Sequence, residues 1–374
     1  MNISSTNSSS ELTQLTLKPS QRSVKGLRGI SPLDQHLWEY IRSVNLDLAQ
    51  SYGYTRIDLP LLEQASLYIR TLGKNSDLVQ NDLVLLNNKE GEEFVLRSEA
   101  RISLARAYVE QGLYEVAQPV RVYHEGMFVQ NDTSEKEHFK QTYKAHFAAF
   151  GSPDPMIDAQ LIYIAYKGLS YLGLDDLTVY INTAEVRVQY KKALIEYFRT
   201  KRSELTDEAR KLINKQPFDI LISSDPALEP VIEQAPQIVD FLDVESQQHF
   251  MKVLEYLDEL EVPYFLRHCL ISDEEYETHT IFEIIPNSEE ITSKAPLACG
   301  GRFDDLLNLV AGVSIPAGSS TLLFDRIVNA LQCTQTEISC NNKCDVFVAQ
   351  IGEEAKKKSL QLFEKLRAEG LSVS

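Results

Sequence analysis

The stretch EFVLRSEARISLARAYVEQ, residues 93–111, joins a short strand at 93–96 to a helix at 98–111. Further strands are expected on both sides of it, at 83–86, 120–128 and 146–150. Strands linked by turns, with helices packed on one side, predict an antiparallel sheet of the α+β class. Upstream, residues 34–50 carry Leu37, Ile41, Val44, Leu46 and Leu48 near helical spacing and predict an amphipathic helix ending near Gly53. Residues 54–62, YTRIDLPLL, then alternate as a strand until Pro60, which marks an end, an edge or an interface. Downstream, residues 186–260 are helical and charge-rich, and strand signals return at 264–270, 280–285 and 295–299. A helical insertion at about 186–262 is therefore expected to split a sheet domain of 22–332. Past a polar linker at 333–343, residues 345–350 read as a buried parallel strand, 353–369 as a helix and 371–374 as the start of another strand, one βα unit within 344–374. Residues 1–21, rich in Ser, Thr, Asn and Gln, have too little apolar surface to offset ordering and read as a disordered tail.

The 374 residues, 43% of them hydrophobic, suffice for one large domain or two ordinary ones with a real core. There is no run of about 18 apolar residues and no leader of secretory type, so a cytoplasmic protein without a membrane partner is expected. Cys269, Cys299, Cys333, Cys340 and Cys344 are odd in number and lack C-x-x-C spacing, which argues against a disulfide framework. Without an accompanying histidine, the last three read as free thiols in a linker and not as a zinc site. A net charge of -17 disfavours non-specific phosphate binding, so a nucleic-acid partner needs a local basic patch.

From about Lys25 to the last residue, the segments resemble the histidyl-tRNA synthetases of class II. KGLRGISP at Lys25 is similar to the family's K-G-T-R-D-x-x-P, and YGYTRIDLPLLE at Tyr52 to its first motif, which implies Pro60 at a homodimer interface. LRSEARISLARAY at Leu96 resembles the segment whose glutamate, here Glu99, holds the amino group of histidine. QPVRVY at Gln118 leads into the second motif, ACGGRFDDLL at Ala298 resembles A-G-G-R-Y-D-x-L, and PAGSSTLLFDRI at Pro316 resembles the third motif with its ATP-stacking arginine at Arg326. INTAEVRVQYKKAL, NKQPFDIL and HFMKVLEYLDELEVPY are similar to the bacterial synthetase's insertion, and residues 345–373 to the beginning of its anticodon-binding domain. The resemblance implies ATP-dependent attachment of histidine to tRNA, with ATP and Mg as transient participants and no permanently bound cofactor. If that activity survives, Arg97, Glu99, Lys144 and Tyr276 bind the amino acid and Gln130, Asp132 and Arg326 bind ATP.

Departures from the pattern fall on the chemistry. Within ISDEEYETHTIFEII, residues 271–285, alignment on Thr280 to Glu283 puts Ser272 at the family's arginine and Glu277 at the second tyrosine of R-G-L-D-Y-Y-T-G-T-V-F-E. Four acids, Asp273, Glu274, Glu275 and Glu277, crowd this entry. In MFVQNDTSEKEHFKQTYKAHFAAFG, residues 127–151, Val129 or Gln130 stands at the second motif's arginine. Lys144 and Ala148 replace the Gln and Glu that grip the imidazole, and His146 the glycine between them. Leu323 replaces a third-motif glycine, Phe303 the tyrosine of G-G-R-Y-D, and Arg101 the threonine beside the amino group.

The transition state of adenylation gains negative charge that fixed cations must meet, so the expected protein is a non-charging relative keeping the dimeric scaffold for tRNA or for a protein partner. The alternatives are an active histidine–tRNA ligase, with Lys140 and Lys144 neutralising phosphate, and an ATP phosphoribosyltransferase regulatory subunit. At residue level, Arg97 with Glu99 reads as an amino-acid clamp or as an ion-paired core couple. Arg302 with Asp304 fixes a turn, His124, His138 and His146 form no metal site, and the acid cluster is a solvent-facing loop.

Overall fold

The computed structural model describes residues 22–374 apart from 75, 77, 132–139, 273, 275 and 337–343. Asp132, His138, Asp273, Glu275, Cys340 and the tail at 1–21 thus lie outside the described residues.

Helix α1 (Gln35–Ser51) turns Leu37, Trp38, Ile41 and Leu48 inward, the three- and four-residue spacing of a helix with one apolar face. Beyond it the continuous strand expected at 54–62 divides. β1 (Thr55–Arg56) joins a large sheet and β2 (Leu62–Gln64) a small one. Pro60 between them has no N–H to give a ladder and holds Leu59 extended, so pairing stops there and resumes in a different sheet. After α2 (Ala65–Leu72), β3 (Leu85–Asn87) and β4 (Glu93–Leu96) complete the small antiparallel sheet in the order β2-β4-β3.

α3 (Ala100–Glu110) leads to the long hairpin of β5 (Val120–Val129) and β6 (Gln141–Phe150), paired from Val120–Phe150 to Val129–Gln141. Next come α4 (Pro155–Tyr171) and β7 (Leu177–Thr183). The insertion supplies α5 (Arg187–Thr200), α6 (Asp207–Leu212), α7 (Pro217–Leu221), α8 (Glu229–Glu233) and α9 (Val244–Glu259). The chain then returns through β8 (Tyr264–Leu266), β9 (Thr278–Pro286), β10 (Ala298–Arg302), α10 (Leu306–Ala311), β11 (Ala317–Leu323) and α11 (Phe324–Cys333).

The large sheet runs β1-β5-β6-β11-β10-β9-β7-β8. Its interior pairs are antiparallel, but β1 lies parallel to β5 and β8 parallel to β7. Both edge strands are reached through long connections, which a parallel neighbour requires. Helices cover both faces, not one. Ala145, Phe147 and Ala149 of β6 pack with α1, α4, α9 and α11, whereas Ala148 and Phe150 pack with α2, α3 and α10. The alternation of a strand sends neighbouring residues to opposite layers. Where β10 runs between β9 and β11, a Cβ on Gly300 would stand 2.2 Å from the Ser319 carbonyl oxygen, so the retained glycine lets the strands close.

The insertion has its own interior, twelve buried apolar side chains between Tyr190 and Ile238, while Phe250, Val253, Leu254 and Leu257 of α9 belong to the main core. At the C-terminal end α12 (Glu353–Ala368) forms as read, but the expected strand at 345–350 reduces to a single parallel bridge, Val346 to Val373. Phe347 and Ile351 are exposed, the single bridge having no further strand beside it among the described residues.

Candidate functional site

The strand alternation that places Ala148 and Phe150 beneath α3 also turns Lys144 and His146 toward that layer, with His124 and Phe128 of β5 beside them. Glu99 ends the approach to this floor as the N-cap of α3, its Oε2 accepting from the Ile102 N–H at 2.9 Å. Two residues on, at the start of the helix, Arg101 comes over the same place.

Arg101 settles what the acid-rich entry does. Its guanidinium donates to the Glu277 carboxylate, lies 3.8 Å from Glu99 and stands over the Phe303 ring at 5.8 Å. The Arg101 and Glu277 side chains are only 11% and 9% exposed. Glu277 is therefore no member of a solvent-facing loop, since a buried guanidinium draws it inward. Burial works against the charge on Arg101, and Glu277, ahead of Tyr276 and Glu99, overcomes it and holds the guanidinium well above its ordinary value. Tyr276 is buried beside this pair, its hydroxyl without a hydrogen-bond partner among the described residues, and burial raises its pKa well above the ordinary value.

Arg97 does not pair with Glu99. It crosses beneath β5 and donates to the carbonyl oxygens of Leu59 at 2.9 Å and Met127 at 2.9 Å, stacked on Phe128 at 4.6 Å. Carbonyls flanking Pro60 thus capture the cation that the sequence offers to a carboxylate. Gly126 makes room, for a Cβ there would stand 2.6 Å from Arg97 Nη2 and 2.8 Å from His124 Nε2. His124 and His146 are cross-strand partners, bonded through Nδ1 to the Ile57 carbonyl oxygen and to the Thr321 hydroxyl. Burial keeps both neutral, lowering His124 to about 4 and His146 well below its ordinary value. Among the described residues no three His, Cys, Asp or Glu side chains converge to hold a metal ion.

Toward solvent the floor opens into a cavity of about 560 Å³ whose wall includes Gln130, Lys144, Asp325 and Arg326. Arg326 donates to the Pro296 carbonyl oxygen at 3.0 Å, and Asp325 receives Arg28 at 2.7 Å and the Tyr143 N–H at 2.9 Å. Lys140 donates to Asn131 at 2.5 Å. The structure thus brings Glu99, Arg101, Lys144, Tyr276 and Glu277 together, leaves Arg97 among carbonyls, and places Gln130 and Arg326 on the cavity wall.

Under the same sheet Arg302, 1% exposed, donates to Asp158 at 2.7 Å and also pairs with Asp304. Asp304 in turn accepts the Ala317 N–H at 2.7 Å, tying the turn after the double glycine to β11. His249 of α9 meets the other oxygen of Asp158 at 2.9 Å. Burial opposes ionisation of Asp158, but His249 and Arg302 hold its carboxyl below the ordinary value. Sequence reading missed Asp158 and His249; the Asp154-Pro155 start of α4 is the signal that would have placed Asp158 on a helix. Pro60 is exposed, as are Leu61, Leu62, Leu85 and Leu86 around it on the small sheet. Cys269, Cys299, Cys333 and Cys344 are free thiols. No helix among the described residues is long and apolar enough to cross a membrane.

Comparison with known proteins agrees with this architecture. A family model described as Histidyl-tRNA synthetase matches residues 26–327. The chain is 31% identical over 353 residues to a histidine–tRNA ligase of Geobacillus thermodenitrificans, covering 93% of this chain and 83% of that one. A histidine–tRNA ligase of Bacillus velezensis is 28% identical over 352 residues with the same coverage. Apo histidyl-tRNA synthetase of S. aureus superposes with a TM-score of 0.75 at 25% identity, over 94% of this chain and 84% of that one. A Bacillus halodurans structure, an ATP phosphoribosyltransferase regulatory subunit/histidyl-tRNA synthetase, shares the fold with a TM-score of 0.69 at 20% identity over 95% and 93%. With the family's pattern running from the N-terminal segment through α11, this chain belongs to the histidyl-tRNA synthetase family.

Proposed function

We propose that this family member does not form an aminoacyl-adenylate and keeps the class II scaffold as a dimer that holds tRNA. The observation that carries the reading is the Arg101–Glu277 pair: the place where family resemblance puts the amino group of histidine, against Glu99, is taken by the protein's own guanidinium. His146 adds to the filling, since its imidazole stands where the family has a glycine. The cations that would meet the phosphorus centre are replaced by Ser272 and by Val129 or Gln130. Histidine-dependent exchange of pyrophosphate into ATP tests the loss of adenylation. The same assay decides the competing reading, a surviving ligase, which draws on Lys144 and Arg326 at the cavity wall. A regulatory role toward a phosphoribosyltransferase requires co-purification with that enzyme and a histidine-dependent change in its rate.

Support for RNA binding comes from charge segregation. Residues 187–215 hold nine Lys or Arg against four Asp or Glu, in a chain of net charge -17. Lys191, Lys192, Arg202 and Lys211 are exposed on this arm. Reversing Lys191, Lys192 and Lys211 to Glu is expected to weaken tRNA binding about tenfold or more at moderate salt and to flatten its salt dependence by about one unit of slope per lost phosphate contact. Filter binding across a salt series reads both, and an unchanged slope would remove the arm from the RNA surface.

Support for the dimer comes from Leu62 and Leu86, exposed near Pro60 and set by the strand register on one face of the small sheet, an apolar surface that a folded monomer has no reason to present. Replacing Leu62 and Leu86 by Glu is expected to shift the protein to monomer in sedimentation at micromolar concentration. Unchanged mass would place the dimer contact elsewhere.

A further inference from the structure

β5 and β6 bring two imidazoles together in the interior, His124 and His146 being direct cross-strand partners only 2% and 3% exposed. His124 donates through Nδ1 to the Ile57 carbonyl oxygen at 2.9 Å, so the proton of its neutral ring sits on Nδ1, and His146 shares a hydrogen bond through Nδ1 with the Thr321 hydroxyl at 2.8 Å. Each Nε2 is buried with no hydrogen-bond partner among the described residues, and Phe128 packs edge-on against both rings, at 6.0 and 5.0 Å. A new proton on His124 Nε2 would meet Arg97, because that nitrogen and Arg97 Nη2 crowd one point, 2.8 and 2.6 Å from the place of a Cβ on Gly126.

The charges around the couple oppose a further proton. His146 faces Lys144 of its own strand, Arg101 of α3 and Arg97, all cations, and His124 faces Arg97 and Arg56 against a single acid, Asp58. The acids of the site, Glu99 and Glu277, pair with Arg101. Burial first, then His124 and those cations, push His146 well below its ordinary value, and burial outweighs the Ile57 carbonyl in taking His124 from 6.5 to about 4.

We infer that the His124–His146 couple is an acid-sensitive switch: a proton taken up by either imidazole unseats the β5–β6 hairpin from the α3 layer and opens the floor of the site. Phe128, Ala148 and Phe150 of the hairpin share one apolar interior with Ile102, Leu104 and Tyr108 of α3, where a new charge finds no acceptor. A folded state that holds both rings neutral has its full stability above the ordinary histidine value. It loses stability as pH falls from about 6.5 toward 4, the interval in which the opened chain binds protons that the closed one refuses. His146 stands where the resemblance puts a glycine, so a relative with that glycine lacks the couple. The switch holds whether or not the site adenylates.

Urea denaturation of the full chain at pH 7, 6 and 5 tests it, with a double variant, His124→Gln and His146→Gln, alongside the wild type. From pH 6 to pH 5 the unfolding constant of the wild type is expected to rise about fiftyfold more than that of the double variant, about sevenfold for each imidazole. Hydrogen exchange, corrected for the intrinsic rate at each pH, should show the amides of α3, β5 and β6 losing protection at pH 5 in the wild type and keeping it in the double variant. Ring-proton NMR of the wild type follows the two imidazoles without any substitution, and both are expected to stay neutral in the folded protein at pH 5. Titration of either ring near pH 6.5 in the folded protein, an equal rise in the unfolding constant of both proteins, or full protection of α3, β5 and β6 at pH 5 overturns the inference. Should the double variant not fold, the NMR titration and His146→Gly, expected to remove about sevenfold of the rise, still decide.

Discussion

Histidine-dependent pyrophosphate exchange is expected to run about 10⁴- to 10⁶-fold slower than in a relative that keeps both motif arginines. Removing one group that stabilises transition-state charge costs about 10² to 10³ in rate, and two such groups are replaced here. The figure of 10⁴ to 10⁶ is that of two groups acting independently; acting as one unit they would cost about 10² to 10³. One further feature points the same way. On the proposed reading Arg101, held over Glu99 by its pairing with Glu277, fills the position that the resemblance gives to the amino acid, so the reactant that must attack phosphorus has no seat. Exchange within tenfold of an intact relative would mean that cations elsewhere perform the task and that Arg101 swings aside.

Arg101→Thr, which restores the family's residue, is expected to destabilise the fold by about 3–5 kcal/mol, because it strands Glu277 in the interior with no compensating charge. Both side chains are about nine-tenths covered, so solvent screens the pair little. Glu277→Gln should cost less, since Arg101 keeps Glu99 at 3.8 Å. Combining Arg101→Thr with Glu277→Tyr, the family's residue at both sites, is expected to recover most of the loss. Urea denaturation of the two single variants and the double variant measures the coupling. If Arg101→Thr costs less than about 1 kcal/mol, or the double variant is no better than the single, the pair is incidental and the pocket can admit a ligand in its place.

The fold was legible wherever one face of an element is dry and the other wet. α1 and α12 lie within about a residue of their readings, and β4 coincides with its own. α4 escaped because apolar residues occupy nearly its whole circumference, burying it against β10, β11 and α9, and no stripe remains to count. β7 escaped for the related reason that six of its seven residues are buried, which leaves no alternation. The start of β6 escaped because Thr142 and Lys144 line a polar site that breaks the apolar pattern. At the site the departures from the family were visible one by one. Their mutual compensation was not: Arg101 and Glu277 stand 176 positions apart, and only the fold shows that one foreign charge answers the other. Arg97 was misread for a similar reason, since backbone carbonyls leave no signature in side-chain sequence.

Because the arm spanning α5 to α8 keeps an oily interior separate from that of the sheet, its opening free energy is its own. Amide protons there are expected to exchange through a subglobal opening that leaves the sheet shut. Asp158, gripped by His249 from α9 and by Arg302 from β10, moors the returning helix to that platform and marks where the arm's own interior gives way to that of the sheet.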